Sequence, residues 1–242
     1  MTATVAEICR YPVKGLSPET LQDVMLMPGC GLPHDRRFAV AHGSDSSRLF
    51  TLVENERLAQ LRVRFEEESG HLTILRAGKP VARAEVDAGH GRLVIDQFLA
   101  GFLAGQAHGA PRLLSGRGNG FTDMDPRLIS LVNLASVADL ERVMRVPVHR
   151  HRFRANIYFE GAGAWVENDW VGREISLGTA RLKAVEPIAR CGATNVDPER
   201  ALRDLNVPLA LKRGFGHVTL GIYAEVLSEG GVRPGDPLVI AG

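Results

Sequence analysis

The residues best suited to chemistry lie in one run, Ala189-Arg190-Cys191-Gly192-Ala193-Thr194-Asn195-Val196-Asp197-Pro198. It sets a thiol beside a fixed guanidinium, and a neighbouring positive charge favours the thiolate, the form of cysteine that attacks electrophiles or binds metals. The flanking residues indicate how it is held. Ile175/Leu177 and Leu182/Ala184 alternate as short strands around a Gly178-Thr179 turn, and Pro187 interrupts the second run. Asp197-Pro198 is a turn signal that cannot continue a central strand. Cys191 is therefore expected on a loop between ordered pieces, where proteins usually carry reactive groups. The competing reading is a cysteine packed as a small hydrophobe, with Arg190 turned into water.

Basic residues gather at three turn-like places: Lys14, the pair Arg36-Arg37, and Arg150, Arg152 and Arg154. They are either solvated strand ends or, with Arg190, a convergent anion site, for which arginine forks and a lysine point charge are suited. Other chemistries find less support. His149 and His151 would share a face of a strand, while His34, His108 and His217 are scattered, and the spacing matches no zinc signature. Three cysteines cannot hold a four-cysteine iron–sulfur cluster. Ser136 and Ser176 lie in no Gly-x-Ser-x-Gly elbow, so a hydrolase is disfavoured. The segment Ser115 to Gly120 has the glycines of a phosphate loop without its Lys-Ser/Thr ending and reads as a connection.

The elements that must position these residues are mostly strands. Val5 to Ile8, Leu21 to Leu26, Arg37 to Ala41, Arg62 to Glu66 and His71 to Leu75 read as short strands, the last two joined by a Ser69-Gly70 turn, which suggests a curled antiparallel sheet or small barrel. A helix is expected from Leu93 to Gly105 and a second from an N-capping Ser136 through Val143, with Asp139 completing a capping box. Strands resume at Asn156 to Phe159, Val218 to Val226 and Leu238 to Ile240. The 242 residues suit two joined units, and 29 basic against 28 acidic residues give no electrostatic case for nucleic acid or an anionic membrane. Cys9, Cys30 and Cys191 are odd in number and widely spaced, which speaks for a reducing compartment. Without a signal-like N-terminus or an 18-residue apolar run, the expectation is a soluble, cytoplasmic protein.

Five short motifs then occur in order: Tyr11-Pro12-Val13-Lys14-Gly15, Asp35-Arg36-Arg37-Phe38, Arg152-Phe153-Arg154-Ala155-Asn156-Ile157, Glu167-Asn168-Asp169-Trp170, and Arg190-Cys191-x-x-Thr194-x-Val196-Asp197-Pro198. Together they resemble the MOSC family with its N-terminal β-barrel domain. The resemblance implies a mainly β fold, residues 1–92 forming the N-terminal barrel domain and 93–242 the MOSC domain with a few short helices. It implies a molybdenum cofactor, with Cys191 as metal ligand and Lys14, Arg36, Arg154, Asn156, Arg190 and Thr194 around the pterin phosphate. An acid upstream of the helix, Asp123 or Asp125, is implied as well. The implied activity is oxygen-atom removal from small N-hydroxylated or N-oxide compounds, with electrons from an external protein. The alternative is a non-catalytic carrier of the cofactor, or of sulfur on Cys191. The chain departs from the family pattern where Arg-Pro-Asn becomes Arg154-Ala155-Asn156, where a second threonine becomes Asn195, and where Thr-Gly after Asp-Pro becomes Glu199-Arg200.

Overall fold

The computed structural model describes residues 3–43, 45–87, 89–106, 109–116, 120–125 and 127–241; His108 and the centre of the glycine-rich segment lie outside them. Its first half contains β1 (Ala3–Arg10), β2 (Glu19–Leu21), β3 (Val24–Leu26), β4 (Phe38–His42), β5 (Asp45–Leu49), β6 (Leu61–Glu66), β7 (His71–Arg76), β8 (Lys79–Glu85), α1 (Gly89–Phe102) and β9 (Arg112–Ser115). Its second half contains β10 (Leu128–Asn133), α2 (Leu134–Met144), β11 (Ile157–Glu160), β12 (Glu174–Leu177), β13 (Ala180–Ala189), α3 (Val207–Phe215), β14 (Thr219–Ser228), β15 (Gly230–Val232) and β16 (Pro237–Ile240).

Seven strands close on themselves in the order β11, β10, β14, β13, β12, β16, β1, with β1 pairing back onto β11 and β2 added at its side. Closure removes free edges from these strands. The strand that completes this barrel comes from the start of the chain. The period-two pattern explains the interior: Ile175, Leu177, Leu182, Ala184, Ile222, Ala224 and Val226 alternate inward and are buried together with Val5, Ile8 and Phe159. No helix among the described residues is long and apolar enough to cross a membrane.

The first half adds two three-stranded antiparallel sheets, β5-β4-β9 and β6-β7-β8, around a separate core. α1 crosses the 92/93 division and packs on that core. It starts earlier than the periodicity suggested and buries Ile95, Leu99 and Phe102, a strict i, i+4, i+7 set, while Leu93 and Val94 face solvent.

Ser136 is not the cap of α2. Asn133 is, accepting from the Ala135 amide at 3.0 Å, which leaves Ser136 inside the helix with its hydroxyl turned to buried Glu167. Asp139 forms no capping box; it accepts from the Trp165 indole and from Arg142. Glu167, fully buried, accepts from Ser136 Oγ at 2.6 Å and from Asn133 Nδ2 at 2.9 Å, and so ties the 166–170 turn to the base of α2. Burial raises the pKa of its carboxyl despite these donors. A carboxyl raised on folding stabilises the protein below its unfolded pKa and loses that contribution as pH rises through the folded value. Glu167→Gln should therefore remove one component of the stability loss seen on raising pH above about 4.5. Urea unfolding of both proteins from pH 4 to 8 checks this: their difference should shift in favour of the glutamine form with rising pH, and a pH-independent difference would contradict it.

Candidate functional site

The site is built where the 10–16 and 34–37 loops of the first half meet the rim of the barrel. A cavity of about 580 Å³ opens there, within the range of small-molecule and cofactor sites. Its walls include Cys191, Lys14, Arg36, Arg154, Asn156, Arg190, Thr194, Asp123 and Asp125, so every site residue expected from sequence reaches one space.

β13 runs on through Pro187 to Ala189, and Cys191 follows two residues later. The register of β13 against β14 shifts between Ala184 and Glu186 and again between Pro187 and Ala189, and such irregularities commonly re-aim side chains beside functional sites. The Cys191 carbonyl then accepts from the Thr194 amide and hydroxyl, at 3.1 and 2.8 Å, folding the next residues into a single tight turn. The thiol is exposed in the cavity wall and not packed as a hydrophobe. Cys9 is buried and Cys30 exposed, both unpaired.

Arg190 does not turn to water. Its Nε donates to the Leu220 carbonyl at 2.8 Å, Nη1 donates to the Phe153 carbonyl at 2.8 Å, and Nη2 also donates to Leu220. Gly221 makes room for it: with φ at +80°, it lies where a Cβ would meet the Leu131 carbonyl at 2.5 Å and Arg190 Nη2 at 3.2 Å. Arg154 donates to the Leu16 carbonyl at 2.8 Å, and Arg36 donates to the Arg154 carbonyl at 2.7 Å. Both guanidiniums lie 4.4 Å from the centre of the Tyr11 ring, a distance at which cation and ring attract. Both arginines also hold left-handed backbone, φ 48° and 51°, a costly conformation for a side chain with a Cβ and one that collects at functional sites.

The charges are not neutralised equally. Arg36 pairs with Asp35, whose other oxygen accepts from the Tyr11 amide at 2.8 Å, and despite its burial this neighbour holds the guanidinium above its usual range. Arg154 and Arg190 have no carboxylate within 4.0 Å among the described residues, and burial pulls each down to about 10. At neutral pH they remain charged, so the cavity wall carries cations that lack a counter-ion. Lys14 meets Asp123 at 2.5 Å, whereas Asp125 is gripped by Arg127 and held down at about 2.

Some residues grouped with this cluster do other work. Arg37 turns away to Asp87 and the rings of Phe38 and Phe65. Arg152 lines the cavity but spends its guanidinium on Asp197, Asp204 and the Asn195 carbonyl, clamping the loop that carries Cys191. The Asn156 carboxamide accepts from the Ser130 amide and hydroxyl at 3.1 and 2.9 Å, joining β10 to β11. Tyr11 and Asp35 stand in the quoted motifs without a role assigned to them there, and Glu186 and Tyr223, cross-strand partners that line the cavity, have no motif to mark them.

The departures from the family pattern have local causes. Ala155 donates its amide to the Tyr158 hydroxyl at 3.1 Å, a bond a proline could not make, and it follows a left-handed residue that a proline disfavours. Asn195 accepts from the Val207 amide at 2.9 Å at the start of α3. Arg200 joins Asp197 and Asp204 at the surface, and Glu199 lies 3.8 Å from His149.

A family model described as the MOSC N-terminal beta barrel domain matches residues 2–106, and one described as the MOSC domain matches 106–239. The mitochondrial amidoxime-reducing component 1 of Mus musculus is 29% identical over 134 residues, 50% of this chain and 38% of that protein. Component 2 of Homo sapiens is 30% identical over 130 residues, 49% of this chain and 38% of the relative. The match thus spans well under half of those relatives. Among solved structures, the YUAD protein of Bacillus subtilis is similar with a TM-score of 0.49 at 14% identity over 99% of this chain and 96% of that one. YiiM of Geobacillus stearothermophilus gives 0.38 at 24% identity over 54% and 67%.

If the unpaired cations form an anion site, inorganic phosphate should raise the melting temperature of the protein, because it binds the folded state alone. Arg154→Ala removes a charge-assisted contact worth about 1.5–3 kcal/mol and should abolish most of that rise. Calorimetry with and without phosphate decides it, and an equal rise in the variant would place the anion elsewhere.

Proposed function

The chain belongs to the MOSC family, with the N-terminal β-barrel domain ahead of the MOSC domain, and on that premise we propose that it is a molybdenum-cofactor oxidoreductase that reduces N-hydroxylated or N-oxide compounds. The observation that carries the reading is an exposed thiol sharing one cavity with two half-buried guanidiniums that, among the described residues, have no carboxylate partner.

This donor set fits the cofactor. A soft thiolate suits a thiophilic metal, and a pterin that brings two sulfurs of its own asks the protein for only one more. Cys191 would hold the metal, and Lys14, Arg36, Arg154 and Arg190 would hold the phosphate. Thr194 and Asn156 line the same space and fix the loop and strand that present these groups. When bound, the cofactor supplies the oxygen-transfer chemistry and the protein supplies position and charge.

The net reaction takes two electrons and two protons per N–O bond cleaved and releases water. Asp125 is occupied by Arg127, so we assign the proton-handling role at the cavity mouth to Asp123, which is largely exposed and, among the described residues, forms its ion pair with Lys14. The electrons come from an external electron-transfer protein, since the sequence has neither a dinucleotide fingerprint nor enough cysteines for an iron–sulfur relay. The fit of substrate is left to Glu186, Tyr223 and the 51–53 loop on the facing wall.

The test is turnover of an amidoxime by cofactor-loaded protein. Reduced viologen should drive it and NADH alone should not, while Cys191→Ser should lose activity with an unchanged melting temperature, because the serine hydroxyl is a harder and far less acidic ligand at an exposed position. Full activity in Cys191→Ser, or sustained turnover from NADH by the purified chain, contradicts the proposal. Silence with both reductants supports the carrier reading instead.

A further inference from the structure

Outside the cavity lining, a second group of chemically capable side chains comes together from distant parts of the sequence. Glu7 and Cys9 lie on β1, and His151 lies in the single 3-10 turn Arg150–Phe153 that leads to Arg154. Their ligand atoms are all within 4.8 Å of one another. His151 Nε2 is 3.0 and 3.1 Å from the two oxygens of Glu7 and 3.6 Å from Cys9 Sγ.

We infer that Glu7, Cys9 and His151 form a binding site for a four-coordinate divalent cation of the zinc type, which staples β1 to the turn that delivers Arg152 and Arg154 to the cavity. The set contains one thiol, one imidazole and one carboxylate, each a known zinc ligand, with solvent left for the fourth position. The spacing fits. Zinc–sulfur and zinc–nitrogen bonds of ordinary length at a tetrahedral angle put sulfur and nitrogen about 3.6 Å apart, and nitrogen and oxygen about 3.4 Å apart. The first edge matches the Cys9 to His151 separation as it stands, and the second needs the Glu7 carboxylate to withdraw by a few tenths of an ångström.

Two other readings of the same residues fit less well. In a cysteine nucleophile activated by histidine, the carboxylate would orient the imidazole through its opposite nitrogen. Here Glu7 and Cys9 both address Nε2, so the three groups converge on one point instead of forming a relay. A simple ion pair between Glu7 and His151, with the Cys9 thiol donating to Glu7, gathers the same groups without a metal, but it does not call for the 3.6 Å His151 to Cys9 separation that a shared zinc does.

The surroundings resemble those of a metal centre in one further respect. Thr20 Oγ1 donates to Glu7 Oε1 at 3.2 Å and would orient the carboxylate, as neighbours of metal ligands commonly do. Arg150, 3.7 Å from Glu7, is partly exposed and can swing away as the cation enters. On binding, the Cys9 S–H bond breaks, a sulfur–metal bond forms, and one proton leaves to solvent; no electron is transferred. The consequence for the cavity is mechanical. The Cys9 amide donates to the Asn156 carbonyl at 2.7 Å, so the staple would act on the strand pair that borders the anion site.

The experiment is cobalt(II) titration of the 242-residue chain carrying Cys30→Ser and Cys191→Ser, which leaves Cys9 as its sole thiol and makes the result independent of the molybdenum reading. One equivalent should bind with thiolate-to-metal charge-transfer absorption and the visible bands of a four-coordinate ion, and zinc should displace it and raise the melting temperature. Cys9→Ala should lose the charge-transfer band. His151→Ala and Glu7→Gln, at partly exposed positions that leave the core intact, should lose stoichiometric binding while melting like the parent in chelator. Absence of a thiolate band at saturating cobalt, or a band unchanged in both His151→Ala and Glu7→Gln, would overturn the site.

Discussion

The feature on which the rest of the structure depends is the burial of guanidinium groups without acids to neutralise them. Removing a charge from water is expensive unless it is paired or fully hydrogen-bonded. At Arg190 and Arg154 the protein supplies backbone carbonyls, from Leu220, Phe153 and Leu16, which satisfy donors while leaving the net charge in place. An acid at either position would have been the easier solution for folding and would have cancelled the field in the cavity. What remains is a wall of fixed positive charge in a partly desolvated space, where an anion gains far more than it would in open solvent.

Much of the architecture follows from holding those groups still. β1, from the start of the chain, closes the barrel of the second half and carries straight into Tyr11, against which Arg36 and Arg154 both rest. The left-handed backbone at both arginines is held by bonds on either side: the Arg36 amide donates to the Tyr11 carbonyl and its carbonyl accepts from Phe121, both at 2.7 Å, while the Arg154 amide donates to the His151 carbonyl at 3.2 Å and its carbonyl accepts from Arg36. Arg152 fixes the opposite wall through Asp197 and Asp204. The Asp-Pro turn after the cysteine is thus a clamp for the loop, with the Asp197 carboxylate also accepting from the amides of Glu199 and Arg200. Cys191 itself is left exposed just beyond the end of a strand whose register slips three times against its neighbour.

The sequence made the site more legible than the framework around it. Motif residues such as Lys14, Arg36, Arg154 and Cys191 announce themselves by type, and their order along the chain carries the family pattern. Their division of labour does not. Arg36 and Arg37 are adjacent, yet one enters the cavity and the other faces Asp87, a choice made by backbone conformation at a left-handed residue that spacing does not reveal. Arg152 and Arg154 differ in the same way, through acids 45 and more residues downstream. The mainly β class was evident from alternation, but the contribution of β1 to the second barrel was not, because strand pairing over 150 residues leaves no local mark. Ser136 looked like a cap because capping and buried hydrogen bonding favour the same small polar residue; Asn133, three positions earlier, held the cap and Glu167 claimed the serine.

The central claim is that the cation-lined cavity and its thiol take the molybdenum cofactor. The most direct measurement is elemental and pterin analysis of the chain purified from a host that makes that cofactor. The account predicts molybdenum and pterin in equal amounts, each approaching one per chain. Protein that emerges folded and free of both, with a labile persulfide on Cys191, would contradict it.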